Sequence, residues 1–105
     1  MSELEQIVFQ LITLAGSARS SAFEALEYAK QFQFEKAEEE LKSTREELVK
    51  AHNIQTNLIQ KESKGETTEL NLLLIHAQDH IMTAMLAKDL IEQMVQMHKA
   101  LSDKL

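Results

Sequence analysis

Two histidines and an aspartate lie close together in a largely apolar stretch, LLLIHAQDHIMTAML, residues 72–86. They are His76, Asp79 and His80, and the whole chain has only four histidines. Imidazole and carboxylate groups bind metals, exchange protons and, in the case of imidazole, attack phosphoryl groups. This segment is therefore the first candidate for a chemical site.

One chemistry open to His76 is nucleophilic attack on phosphorus. A neutral imidazole nitrogen can form a labile phosphoramidate, and the transfer depends on in-line positioning and on donors for the phosphoryl oxygens. Gln78, His80 and nearby hydroxyls such as that of Thr83 are donors of a suitable type close to His76. The remaining histidines, His52 and His98, are interpreted as structural or incidental.

A second chemistry is zinc binding, because His76 and His80 would lie one turn apart on a helix. The metalloprotease pattern has Glu directly after the first histidine, and Ala77 stands there in this chain. Two histidines without a third good ligand make a poor zinc site. A zinc-dependent hydrolase is therefore the least favoured interpretation.

Asp79 raises a separate question, because its neighbours at helical spacing are Leu, Ile and Met. A buried carboxylate must be paired, protonated or bound to metal, since its desolvation is costly. If several copies of the chain met along this face, their Asp79 carboxylates would converge, and a hard cation such as Mg²⁺ would neutralise them. The alternative is an aspartate at the edge of an interface, hydrogen-bonded to a neighbour.

The composition predicts a single all-α domain, residues 1–105. The chain has no Pro and only two Gly, and 44% of its residues are hydrophobic. Its net charge of −6 argues against nucleic-acid binding and against adhesion to anionic membranes. No window approaches eighteen uninterrupted apolar residues, and the N-terminus lacks the features of a secretion signal. We therefore expect a cytoplasmic protein with no membrane insertion.

The hydrophobic periodicity predicts three helices in an antiparallel bundle, the third being the longest. Ser2, with Glu5 three residues later, has the spacing of a capping box. Gly65 suits a left-handed stop after the second helix, and Thr67 or Thr68 suits the next N-cap. The predicted helices run from Ser2 to a turn near residues 31–33, from about Phe34 to Glu62, and from about Thr68 to Ser102.

The third helix is apolar on two faces, whereas two companion helices cover only part of its circumference. We therefore predict self-association with the third helix at the centre, and closed cyclic symmetry is the default for such assemblies. A non-catalytic helical scaffold is the alternative function. The first stripe is Leu70, Leu74, Ala77, Ile81, Ala84, Ile91 and Val95. The second stripe is Leu72, Ile75, Asp79, Met82, Leu86 and Leu90. The line Leu73, His76, His80 and Thr83 projects from a neighbouring face.

Three separated motifs resemble the IIA component of bacterial sugar phosphotransferase systems (PTS), in its lactose/cellobiose/chitobiose branch. They are AGSARSSAFEAL (residues 15–26), AHNIQT (51–56) and HAQDHIMTAML (76–86). The resemblance implies three-helix subunits that assemble as a homotrimer. It also implies a phosphocarrier that takes a phosphoryl group from phospho-HPr onto a histidine and passes it to a cysteine of the IIB component. The IIC component would be the membrane channel for a β-linked disaccharide.

The same resemblance assigns roles within the HAQDH motif. It makes His76 the phosphoryl acceptor and Asp79 the carboxylate that binds Mg²⁺ or a similar divalent cation at the trimer axis. Gln78 and His80 match the flanking polar positions, which implies a supporting role. Ala77 is more similar to the cellobiose/chitobiose subgroup.

The chain departs from the family pattern in the first interhelical turn. Relatives often have Gly-Asp-Phe there, whereas this chain has Phe-Gln-Phe at residues 32–34. We expect the difference to affect the shape of the turn and to leave the proposed site unchanged.

Overall fold

The computed structural model describes residues 2–66 and 70–105, which form three α-helices and no strand. The helices are α1 (Glu3–Lys30), α2 (Phe34–Ser63) and α3 (Leu72–Ser102). The predicted all-α class is confirmed, and α3 is the longest helix at 31 residues. No described helix combines the length and the hydropathy that a membrane span requires.

The start of α1 is confirmed as predicted. The Ser2 hydroxyl accepts a hydrogen bond of 3.1 Å from the backbone N–H of Glu5. Glu3 and Glu5 place acidic side chains in the first turn, where the helix dipole favours negative charge.

The predicted start of α3 near Thr68 is wrong. The helix begins at Leu72, and the side-chain oxygen of Asn71 accepts a 2.8 Å hydrogen bond from the N–H of Leu74. The predicted N-caps, Thr67 and Thr68, lie outside the described residues. Asn is as good an N-cap as Thr, and the apolar Leu70 before it led the helix pattern to be extended too far. The N-terminus of α3 is therefore fixed about one turn before His76.

The helices run up, down and up. Near one end of the bundle, Val8 of α1 shares a core cluster with Ala51 of α2 and Leu74 of α3. Near the other end, Ala29 at the end of α1 packs with Ala37 at the start of α2 and with the last turns of α3. Consecutive helices are therefore antiparallel, as predicted, and α1 and α3 run in the same direction.

The buried face of α1 is a stripe whose members are spaced alternately three and four residues apart. This period of 3.5 residues is the one that keeps helices in contact along their length at a shallow crossing angle. Most of its members are alanines with no exposed surface, so α2 and α3 can approach α1 closely. The buried residues are Val8, Leu11, Ala15, Ala18, Ala22, Ala25 and Ala29.

Both α1 and α2 end in the same hydrogen-bonded turn. After α2, Gly65 has φ = +85°, and the N–H groups of Gly65 and Glu66 bond back to Glu62 and Lys61, each at 3.0 Å. This is a Schellman motif with Gly in its left-handed position, as the sequence predicted. After α1 the same pair of bonds forms, but the left-handed position is occupied by Phe32, with φ = +60°.

Phe32 is the one non-glycine residue with positive φ in the described part of the chain. A Cβ atom in this conformation costs about 1–2 kcal/mol through its contact with the backbone. Part of that cost is offset by the ring of Phe32, which packs edge-on against Phe34 with 6.2 Å between centroids. The departure from the Gly-Asp-Phe pattern therefore falls on the position where Gly is sterically preferred.

Comparing Phe32→Gly with Phe32→Ala isolates this strain, because both variants lose the aromatic ring. We expect Phe32→Gly to be the more stable by about 1 kcal/mol, since only Ala keeps a Cβ atom in the left-handed conformation. Urea unfolding at one fixed protein concentration measures the difference. Gly65→Ala serves as the matched control and should lose a similar amount. Equal stability of the two Phe32 variants would contradict the assignment of strain to this turn.

Candidate functional site

Residues 76–87 of α3 form one wall of an open groove against α1. We call it the histidine groove; its volume is about 370 Å³. His76 and His80 lie in it, and α1 contributes the opposite wall. The lining residues are Arg19, Phe23, His76, Asp79, His80, Thr83 and Ala87.

The two imidazoles contact each other edge to face. Their ring centroids are 4.5 Å apart and their planes make an angle of 82°. His80 is half-buried and contacts one side of the His76 ring. His76 itself is exposed, so its other side is open to solvent. A reactant entering from solvent can therefore reach an imidazole whose orientation is constrained by a second imidazole.

The hydroxyl of Thr83 is already engaged within α3. It donates to the carbonyl oxygens of Asp79 and His80, at 3.0 and 3.2 Å. Such back-bonding is the usual way in which a mid-helix Thr satisfies its hydroxyl. Thr83 lines the groove, but its proton is directed at the helix backbone.

Gln78 lies on a different side of α3 from the histidine groove. Its side-chain carbonyl accepts a hydrogen bond from the side-chain amide of Gln55, a buried residue of α2. The pair fastens α3 to α2 directly behind the segment that carries His76. Of the two residues predicted to support His76, His80 therefore contacts it, whereas the Gln78 side chain is directed towards α2.

Asp79 is exposed and lines the same groove as His76. The sequence periodicity assigned the two residues to separate faces, and this separation is too strict. Three residues along a helix differ by about 60° around its axis, so one wide groove admits both side chains. A carboxylate therefore lies in the same concavity as the exposed imidazole.

The first stripe of α3 is buried from Leu74 to Val95, as predicted, and Leu70 lies before the helix and is 77% exposed. The second stripe is uncovered. Its apolar members are between 50 and 81% exposed, and Asp79 lies in the middle of the row. Contiguous apolar patches of this kind mark sites of association in soluble proteins.

Within residues 2–66 and 70–105, no three side chains of His, Cys, Asp or Glu come together as metal ligands. Asp79 supplies a single carboxylate. Mg²⁺ requires about six oxygen ligands in octahedral geometry, several of them commonly waters. The donor type therefore fits a hard divalent cation, and one described chain supplies one carboxylate, Asp79, for it.

Arg19 and Phe23 are site residues that the residue-by-residue reading of the sequence missed. They lie one turn apart on α1, and the guanidinium carbon of Arg19 is 6.0 Å from the centroid of the Phe23 ring. The sequence does contain a signal for these two residues: a cation lies four residues before an aromatic ring, on the exposed side of an alanine-rich helix. It became meaningful once the fold placed α1 beside His76.

The sequence matches one protein family, described as the lactose/cellobiose-specific IIA subunit of PTS systems, over residues 6–99. Among curated proteins, it is 46% identical over 102 residues to the lichenan-specific phosphotransferase enzyme IIA component of Bacillus subtilis. That alignment covers 97% of this chain and 93% of the relative.

Solved structures agree with this match. The PTS cellobiose-specific enzyme IIA from Bacillus anthracis superposes with a TM-score of 0.96 at 47% identity, over 100% of this chain and 96% of the other. A chain in the solution structures of the IIA(chitobiose)–HPr complex of the Escherichia coli diacetylchitobiose branch gives a TM-score of 0.84 at 40% identity. The superposition covers 97% of this chain and 99% of that one.

Removing the Gln78 side chain tests its place behind the site. We expect Gln78→Ala to lower the free energy of unfolding by about 1–3 kcal/mol, because the buried amide of Gln55 loses its partner. A double variant, Gln55→Leu with Gln78→Leu, should lose less, since neither polar group remains. Urea unfolding at constant protein concentration measures both. A Gln78→Ala protein as stable as the wild type would show that this hydrogen bond does not hold α2 to α3.

Proposed function

The chain belongs to the lactose/cellobiose-specific IIA family of the sugar phosphotransferase systems, and we propose that His76 is its phosphoryl carrier. In this proposal His76 accepts a phosphoryl group from phospho-HPr and passes it to a cysteine of the IIB component. One observation carries the proposal: the His76 imidazole is exposed in an open groove and is steadied by a second imidazole. Because both the donor and the acceptor of the phosphoryl group are proteins, the chain in this proposal acts as an enzyme component only together with them.

The proposed transfer conserves atoms and electrons at each step. An unprotonated ring nitrogen of His76 uses its lone pair to form a bond to phosphorus. The bond between phosphorus and HPr breaks, and its electron pair stays with HPr. In the second step a cysteine thiolate of IIB forms a bond to phosphorus, and the electron pair of the nitrogen–phosphorus bond returns to His76. The ring needs no general base, because its attacking nitrogen carries no proton.

The supporting residues act in two different ways in this proposal. His80 contacts His76 directly and limits the directions that the ring can take. Gln78 acts from behind, since its hydrogen bond to Gln55 holds α3 against α2. Because in-line attack tolerates little misplacement, both restraints favour transfer.

The partners follow from the relatives. One structural neighbour is a IIA protein in complex with HPr, which supports HPr as the phosphoryl donor here. The relatives' names point to lichenan, cellobiose and chitobiose, which supports uptake of a β-linked disaccharide. The phosphoryl group would leave through IIB, while IIC would carry the sugar across the membrane. The relay would operate in the cytoplasm.

The proposed assembly is a homotrimer that buries the second stripe of α3. The stripe runs from Leu72 to Leu90 and leaves a row of large apolar side chains uncovered in a single chain. Burying such surface contributes about 25 cal/mol per Å², which favours association. A parallel arrangement of α3 helices around one axis covers the stripe of each copy by the same stripe of its neighbours.

Mg²⁺ or a similar divalent cation is proposed to lie on the axis of this trimer. Each chain would contribute the carboxylate of Asp79, which lies within the second stripe. The ion would neutralise the converging charges, so its role is structural.

Replacing His76 tests the carrier role. Incubated with phosphoenolpyruvate, enzyme I and HPr, the wild-type protein should gain one acid-labile phosphate per chain, whereas His76→Ala should gain none. Intact-mass and peptide-mapping mass spectrometry locate the phosphate. His52→Ala and His98→Ala are the matched controls and should be labelled like the wild type. Full labelling of His76→Ala would contradict the assignment, and an unlabelled wild-type protein would favour the scaffold alternative.

Replacing Asp79 tests the axial position. In buffer with a chelator, Asp79→Leu should strengthen association by about 1–4 kcal/mol, because converging carboxylates are replaced by apolar side chains. Sedimentation equilibrium measures the association constant, and added Mg²⁺ should strengthen the wild type alone. Asp79→Asn is the control that removes charge without adding apolar surface. Dissociation of Asp79→Leu into monomers under metal-free conditions would exclude the axial position.

A further inference from the structure

The wall of the histidine groove opposite His76 is formed by α1, and its exposed side chains are Arg19 and Phe23. The guanidinium of Arg19 lies over the Phe23 ring, 6.0 Å from its centroid. A cation at this distance is attracted by the face of the ring, which limits the positions that a long flexible side chain takes. Phe23 is itself 47% exposed and belongs to neither core cluster. The ring therefore supports Arg19 and contributes little to the bundle.

Arg19 makes no salt bridge with any described residue of the chain. The other arginine, Arg45, contrasts with it, because Arg45 pairs with Glu38 and lies 3.8 Å from Glu92. Lys88, in the same α2–α3 groove as Arg45, is 2.7 Å from Asp89 and 3.4 Å from Glu92. Arg45 and Lys88 therefore neutralise acids of the chain itself, whereas the guanidinium of Arg19 has no acidic partner among the described residues.

Negative charge in the histidine groove would make a positively charged side chain such as Arg19 useful there. A phosphoryl group on His76 adds a charge of about −1.5 to −2, in a concavity that already contains the carboxylate of Asp79. The whole chain carries a net charge of −6. Among the lining residues, only Arg19 has a permanent positive charge. Its planar guanidinium also offers paired N–H donors that match the spacing of phosphoryl oxygens.

From this we propose that Arg19, supported by the Phe23 ring, binds the oxygens of the phosphoryl group while it is transferred to and from His76. The inference rests on the proposed phosphocarrier function, which it deepens by naming the group that binds the phosphoryl oxygens. Arg19 donates hydrogen bonds to the equatorial oxygens, where negative charge gathers as the bond to the donor breaks and the bond to His76 forms. Arg19 takes no proton in the step.

A phosphoryl donor without a protein surface separates this role from partner docking. Phosphoramidate is such a donor: a nitrogen of His76 bonds to phosphorus, the phosphorus–nitrogen bond of the reagent breaks, and ammonia leaves with the electron pair. The rate of phosphohistidine formation is followed by ³¹P NMR or intact-mass spectrometry, with phosphoramidate and, in parallel, with saturating phospho-HPr. The variants are Arg19→Gln, Arg19→Lys and Phe23→Leu, and Arg45→Gln is the control with the same change of charge. All are compared at one oligomeric state, verified by sedimentation.

Arg19→Gln should slow labelling by about tenfold or more with both donors, since loss of one donor to a transferring group has effects of at least this size. Arg19→Lys should recover part of the rate, Phe23→Leu should show a smaller loss, and Arg45→Gln should match the wild type. Unchanged rates in Arg19→Gln with both donors would overturn the inference. So would a loss confined to phospho-HPr, because Arg19 would then serve docking. A wild-type protein that gains no phosphate on His76 would overturn the proposed function itself, and the role of Arg19 with it.

Discussion

The close contact of α1 with the other two helices is the constraint on which the rest of the structure depends. Its buried face is made of alanines over the last four turns, and none of them has exposed surface. Side chains this small let neighbouring backbones approach, so the walls of the histidine groove lie near each other. Larger residues on this face would move α1 outward and separate Arg19 from His76. The alanine stripe thus sets the geometry of a site to which it contributes no functional group.

Helix α3 combines two different surfaces, one that is part of the core and one that is exposed. Its first stripe completes the core through residues such as Ile81, while its second stripe remains exposed. His76 and His80 lie between these faces, at the edge of the contact with α1. The rotation of α3 about its own axis is therefore fixed: the Asn71 cap sets where the helix begins, and packing against α1 continues along it as far as Val95. His76 is therefore oriented by the same periodicity that builds the core.

The sequence was sufficient to predict the all-α fold and most of the helix bounds. It was insufficient where the position of a side chain depends on contacts between helices. The buried stripes and the Ser2 cap follow from local spacing, which is readable from one sequence. The start of α3 was misplaced because apolar character continues through Leu70, before the Asn71 cap. The direction of Gln78 and the presence of Arg19 in the groove depend on where α1 and α2 lie around α3. No periodicity within α3 encodes those contacts.

In the proposed relay, an acidic chain would accept a phosphoryl group of the same sign of charge. With a net charge of −6, the chain would repel a phosphorylated donor unless a cation in the groove offset the repulsion. Arg45 and Lys88 are held by carboxylates in another groove. The hydrogen bond that Lys88 donates to Asp89, together with the charge of Glu92, raises the pKa of Lys88 against the opposing effect of burial. Arg19 alone is directed at the groove, on an aromatic support that leaves its N–H groups open to a ligand. Arg45 and Lys88 bind carboxylates of the chain, whereas Arg19 is left to bind a ligand. A protein that accepts a phosphoryl group and then releases it needs such an unpaired cation at its site.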